Sequence, residues 1–477
     1  MRCVIHFAYG WKIRIFAGKL VLGMNRDSID LASGDLAQLF RRYFIPTLLG
    51  MLSSCTLIAI DGIFVGHGVG SNGIAAINIV MPALMIVTGI TLMIGAGCSV
   101  VASIHISQGK IKVARLNVTQ GILFLTIVAA SFTAVFMANP ESTARILGSS
   151  ESLLPLVMEY MMWYAPCWTF VGWEIFALFI IRVDGSPKVA MMCNMFSAVL
   201  NIFLDWLFIF PLGWGLRGAA FATSISTVAG ALIAVVYILF FAKYTRIIRL
   251  KCSFKSLKLS LRNIGYQSRI GSSALFGEAA MGILTLIGNL VFMTYLGDDG
   301  VGAFGIACYY APFIFMVGNA VAQSSQPIVS YNYGLGLRKR VRDTLKFTLY
   351  AAAMCGIVVS AAFILFPDFL VALFIDPASP AGRIGIEGFP YFALSFMPFV
   401  INIAVIGFFQ SVENVCASTL FSLLRGLIFL VPCFYLLPLL MGDEGIWLAF
   451  PLSEVMTLIA ITGWMAYKYS SNQAIIK

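Results

Sequence analysis

The chain has 477 residues, of which 60% are hydrophobic and only 11% charged, with a formal net charge of +10 and a mean hydropathy of +0.93. A soluble domain carries about a quarter charged residues, so no water-facing surface can be built from this composition. The positive balance does not indicate nucleic acid, because the basic residues lie in short segments between apolar runs, where they act as topology signals.

Apolar runs of roughly 20 residues recur along the whole chain, each long enough to cross a hydrocarbon core of about 30 Å. In lipid the backbone must satisfy its own hydrogen bonds, so these runs are helices. Residues 1–23 are mildly apolar but broken by Lys12, Arg14 and Lys19, and they lack the clean apolar region and cleavage site of a secretory signal. They read equally as an extension upstream of Met24 or as a basic interfacial helix. After a cytoplasmic leader (1–37), spans are predicted over 40–66, 74–104, 117–138, 156–182, 189–211 and 217–243, forming a lobe at 38–243. A basic cytoplasmic linker (244–266) follows, suited to anionic headgroups. A second lobe (267–470) holds spans at 267–296, 301–331, 344–374, 387–411, 417–440 and 445–469, ahead of a short tail (471–477). The expected fold class is all-α membrane protein, with twelve spans in two pseudo-symmetric six-helix bundles.

Charge placement orients this scheme. All but four of the 31 Lys and Arg residues fall in loops and termini on one side. The exceptions are Arg145, Arg217 and Arg383 in the opposite loops and Arg425 inside a span. Both termini are therefore expected in the cytoplasm. The two lobes repeat at an offset of 227 residues: Gly70 and Gly73 map to Gly297 and Gly300, Lys112 and Arg115 to Lys339 and Arg342, and Gly215 to Gly442. Six spans per repeat is an even number, so the halves enter the membrane from the same side, as in transporters with parallel repeats.

Ionisable groups inside spans mark function by default. Asp61, Glu174, Asp205, Glu278, Arg425 and Glu454 are the candidates. Counting residues from the outer ends of spans 1, 5 and 6 puts Asp61, Asp205 and Thr223 about 8–9 Å below the outer surface. Asn201 lies one turn deeper than Asp205 on the same helix face. These four oxygen-bearing side chains can converge into a site for a hard cation such as Na⁺, or for a proton shared between two carboxyls. The plainer reading is separate polar groups lining a watery funnel. Glu278 and Arg425 sit at similar depth, and Glu454 is a rival partner for Arg425, so this trio is either a second-lobe coupling group or a structural ion pair. Glu174 has no partner in the pattern, and Glu159 reads as solvated. Pro46, Pro82, Pro312, Pro327, Pro398 and Pro432 interrupt spans, and a bend at Pro46 would move Asp61. Met81, Met85, Phe313, Phe315 and Met316 either line an adaptable chamber or make ordinary helix contacts. His67 and His105 stand alone at span ends. The ten cysteines form no CxxC pair and read as core thiols. With no catalytic constellation and no segment polar enough for a nucleotide domain, the chain is not expected to be an enzyme, and it requires no cofactor beyond a coupling ion.

The ordered motifs of residues 38–470 resemble the multidrug and toxic compound extrusion (MATE) family. The carriers are FIPTLLGMLSSCTLIAIDGIFVGHGVG with Pro46 and Asp61, the GAGCSVVASIHISQGK stretch, RVDGSPKVAMMCNMFSAVLNIFLDWLFIFPLGWGLRGAAFAT with Asn201, Asp205 and Thr223, and QPIVSYNYGLG at 326–336. The resemblance implies two lobes around a central cavity, in the inner membrane of a bacterium. It implies antiport of small amphipathic, mostly cationic organic molecules against H⁺ or Na⁺ by a monomer, with Asp61, Asn201, Asp205 and Thr223 as the cation site. One branch of that family uses acids on helices seven and ten. Here span 10 has no acid, which favours the first lobe. A lipid-linked precursor flippase of related architecture is the alternative, and it would be expected to show a more cationic cavity.

Overall fold

The computed structural model describes residues 30–250 and 253–470, and all the regular structure among them is helical. The leader before residue 30, including the two readings of residues 1–23, and the tail at 471–477 lie outside the described residues.

Six spans form the first half: α1 (Leu36–Gly68), α2 (Ser71–Ser107), α3 (Ile111–Ala138), α4 (Leu154–Val183), α5 (Pro187–Ile209) and α6 (Gly215–Phe241). In the second half one helical stretch, Phe254–Gly334, is 81 residues long. At about 1.5 Å per residue that is several times a bilayer. It breaks at Gly297, so it is two spans, α7 (254–296) and α8 (298–334). Then come α9 (Arg338–Leu365), a pair bent by 46° (Pro380–Ala393 with Phe396–Ser411, together α10), α11 (Val415–Met441) and α12 (Asp443–Ser470). With the break at Gly297 and the bent pair taken as one span, the described residues hold the expected twelve.

The repeat is visible in the turns. Gly70 (φ 91°) and Gly297 (φ 64°) are repeat mates, as are Gly215 (φ 56°) and Gly442 (φ 64°). All four take the left-handed region that a Cβ disfavours, so glycine at each of these turns is a backbone requirement.

Two predicted boundaries are corrected. Span 9 was expected to reach 374, but α9 stops at Leu365 because Pro367 starts a separate short helix, Pro367–Ala372; the residue before a proline is driven out of the helical region. Half of the expected linker is helix, since α7 begins at Phe254. The chain that follows α6 is tied down. Asp184 accepts hydrogen bonds from the backbone N–H of Lys243 (3.1 Å), Tyr244 (2.7 Å) and Thr245 (3.2 Å) and from the Thr245 hydroxyl. Arg115 donates to the Lys243 carbonyl at 2.6 Å.

Cα packing divides the chain into two compact units. One contains Ile45–Gly265; the other contains Tyr266 onward together with Asp35–Phe44, so α1 belongs partly to each. The first unit has two apolar cores, one around Cys98, Val118, Phe176 and Ile181, the other around Val80, Met161 and Trp168. In the second unit, Phe292 stacks on Phe304 at 4.5 Å and meets Trp447 edge-on, and Phe392 stacks on Phe450. Many large apolar side chains remain exposed, for example Ile127, Val135, Tyr350 and Leu440, as expected where the solvent is lipid.

Candidate functional site

In the first unit, α1 brings Asp61, α5 brings Asn201 and Asp205, and α6 brings Thr223. Asn201 and Asp205 stack one turn apart on α5, and both are buried. The Asp61 and Asp205 carboxyls lie within hydrogen-bonding reach of each other, and Asn201 stands beside Asp205. The Asn201 amide donates to the Thr223 hydroxyl at 3.4 Å, and that hydroxyl donates to the Ala219 carbonyl at 3.0 Å. All four side chains are therefore gathered in one place. Asp61 Oδ1 and both carboxyl oxygens of Asp205 are buried with no well-formed hydrogen bond from any donor.

This arrangement limits the chemistry. Two facing carboxyls in a low-dielectric site cannot both stay ionised without a positive charge between them. Orphaned oxygens, an amide oxygen and a hydroxyl suit a proton or a hard monovalent cation. No group of three or more His, Cys, Asp or Glu side chains is clustered among the described residues, which leaves no transition-metal set there.

Sequence reasoning missed two neighbours. Tyr160 lies close enough to sense both Asp61 and Asp205, and Tyr164 senses Asp61. Both come from the first part of α4, whose 3-10 turn at Ala165–Cys167 follows Tyr164. The signal available was their four-residue spacing, which places both hydroxyls on one helix face.

In the second unit Arg425 pairs with Glu454. The Arg425 Nε donates to Glu454 Oε1 at 2.8 Å, with only 4% and 1% of the two side chains exposed. Asn402 donates to Glu454 Oε2 at 2.8 Å, and the guanidinium sits 4.3 Å above the Phe399 ring. Arg425 lies in a π-helical turn, Leu424–Ile428. Pro432 lies four residues beyond its end, and proline has no N–H to donate to the Ile428 carbonyl while its ring crowds that oxygen. Glu278 is not part of this pair; its Oε2 is buried without a hydrogen-bond partner.

The remaining candidates separate. His67 and His105 bond carbonyls of their own helices, Ile63 and Val101. Phe315 is buried against Phe399, whereas Met85 is exposed. Glu174, without a partner in the sequence pattern, is buried against α6. Pro46 lies inside continuous α1, and Pro82, Pro312 and Pro327 likewise lie inside helices.

The MatE family model matches this chain twice, over residues 46–207 and 274–436. The chain belongs to the MatE family. The second match starts at 274 against 46 for the first, an offset of 228 that agrees with the 227-residue repeat. MatE proteins are transporters, not enzymes. Similar proteins include an FAD transporter of Shewanella oneidensis, 23% identical over 91% of this chain and 95% of its own length. Another is the multidrug export protein MepA of Staphylococcus aureus, 24% identical over 88% and 91%. Among solved structures, an outward-facing multidrug resistance MATE transporter of the MOP superfamily superposes with a TM-score of 0.85 at 21% identity, covering 93% of this chain and 98% of the other. A MOP superfamily transporter from Pyrococcus furiosus gives 0.84 at 22% identity, over 92% and 97%. At such identity these structures speak for the MatE fold alone.

Proposed function

We propose that this MatE protein is a secondary antiporter that exports small amphipathic organic molecules in exchange for H⁺ or Na⁺. Asp61, Asn201, Asp205 and Thr223 hold the coupling ion. The observation that carries this reading is the pair of facing carboxyls on α1 and α5, with three buried oxygens lacking donors and no basic side chain among their hydrogen-bonding neighbours. Such a pair costs several kcal/mol to leave charged and unsatisfied. Its affinity for a cation therefore differs between arrangements of the protein that open and close it. Export follows if cation and substrate each favour a different arrangement, because a ligand shifts an equilibrium only by its differential affinity.

Paired acids in the membrane suit cationic substrates, and the names of the multidrug exporters support export of organic molecules. The FAD transporter relative extends the panel to a flavin dinucleotide. The protein is proposed to reside in a bacterial inner membrane with both termini cytoplasmic, on the strength of its Lys and Arg asymmetry. The test is a proteoliposome assay with imposed Na⁺ or pH gradients against cationic dyes and a flavin. Asp61→Asn and Asp205→Asn are expected to reduce gradient-driven export to background while inserting normally. Unchanged export in both variants removes the carboxyl pair from the mechanism.

A further inference from the structure

A third buried carboxyl in the first unit is not explained by the Asp61–Asp205 pair. Glu174 lies in the middle of α4, 8% exposed, and its Oε1 has no hydrogen-bond partner. It occupies a niche that exists because residue 230 is glycine. A Cβ on Gly230 would come 2.5 Å from Glu174 Oε1 and 2.9 Å from Ser197 Cβ. Carboxyl, serine and glycine thus meet at one point where α4, α5 and α6 pack.

The Ser197 hydroxyl beside Glu174 is already committed elsewhere. The Ser197 hydroxyl donates to the Ser226 carbonyl at 3.1 Å. A carbonyl oxygen can only accept, and a serine has one hydroxyl proton. The Glu174 carboxyl lies beside that same Ser197 side chain. Ser197 has no second proton to give, so it leaves Glu174 Oε1 without a hydrogen bond.

The surroundings agree. The titratable groups near enough to sense Glu174 are Tyr164 of α4 and Cys193 of α5, both neutral hydrogen-bonding side chains. The other helices packed on α4 face this stretch with Thr91 and Leu125, from α2 and α3, and with Gly230. No charged side chain among the described residues acts on Glu174. An ionised carboxylate left unpaired at this depth costs several kcal/mol. Tyr164 is near enough to sense both Asp61 and Glu174.

We propose that Glu174 is a second proton-binding site of the first half, separate from the Asp61–Asp205 pair, which loads a proton in the Ser197–Gly230 niche and gives it up during transport. The exchange part rests on the antiport reading above. The proton leaves as H⁺ to water and returns from water, so no other reactant is needed.

Two measurements test it on purified full-length protein. Difference infrared spectroscopy at neutral pH should show a carboxylic-acid C=O band that Glu174→Gln abolishes. Glutamine keeps the size of the side chain and removes its titration, so this variant should fold. Gly230→Ala keeps every titratable group but crowds Oε1, and it should shift the band without removing it. In weakly buffered detergent with a pH-indicator dye, added ethidium should release one proton fewer per molecule from Glu174→Gln than from the parent protein, and Glu174→Asp should restore it. No band difference overturns the site. A band with identical proton release in parent and Glu174→Gln overturns its exchange and leaves a structural acid. A parent that exports ethidium under neither gradient brings down the antiport reading, while the infrared result still decides whether Glu174 holds a proton.

Discussion

Removing the carboxylate from the buried Arg425–Glu454 pair is the most demanding test of the second unit. In Glu454→Gln the guanidinium keeps its place over Phe399 but loses the partner 2.8 Å from its Nε, with 4% of its side chain exposed. Breaking a buried pair on one side costs about 3–5 kcal/mol, because an uncompensated charge remains in low dielectric. Asn402 limits relief, since its amide is already committed to the Glu454 backbone carbonyl at 2.8 Å as well as to the carboxylate. Replacing both partners, in Arg425→Met with Glu454→Met, removes the desolvation penalty along with the attraction, so the double variant should lie much closer to the parent. The cycle closed by the single variants Arg425→Met and Glu454→Met should give a coupling energy of about 3 kcal/mol. Unfolding in mixed detergent micelles, followed by tryptophan fluorescence, reads all four proteins. If single and double variants are equally destabilised, the pair contributes nothing as a pair and the reasoning fails. Export by the double variant settles its role: retained export makes the pair architectural, while lost export at parental stability makes it part of coupling.

Two further outcomes follow from contacts described above. Gly388→Ala would drive a methyl group into the Trp447 indole, and overpacking of this kind costs about 1–3 kcal/mol; a parental melting temperature would show that the aromatic cluster yields more easily than its packing suggests. Asp184→Ala removes the acceptor for three backbone N–H groups and a hydroxyl at residues 243–245. It should raise proteolysis between 243 and 253 several-fold, with α5 and α6 intact by hydrogen exchange; unchanged cleavage would mean that the Arg115 contact suffices.

The features legible in the sequence were those governed by length and period. Twelve spans follow from bilayer thickness, and the meeting of Asp61 with Asn201 and Asp205 follows from residue counts along helices whose depths were set by the turns. Contacts that depend on how helices rotate against each other were not legible. Tyr160 and Tyr164 join the carboxyls through the rotation of α4, and Ser197 meets Glu174 only because Gly230 lets α4 and α6 approach. Arg425 had two candidate partners at nearly equal depth, and only packing chose Glu454. The docked linker was hidden for another reason: its anchor, Asp184, binds backbone N–H groups, which carry no side-chain signature.

The aromatic cluster of the second unit bears on what separates the two halves. Gly288 is the repeat mate of Asp61, and a Cβ there would strike the Phe304 ring. The mates of Asp205 and Thr223 are Pro432 and Phe450. Placing an acid at Gly288 would demand a smaller residue at 304, and that would unseat the stack on Phe292 and its contact with Trp447. A polar site in the second half at the positions that mirror Asp61, Asp205 and Thr223 would therefore need several residues to change together, because rings and a proline now hold those places.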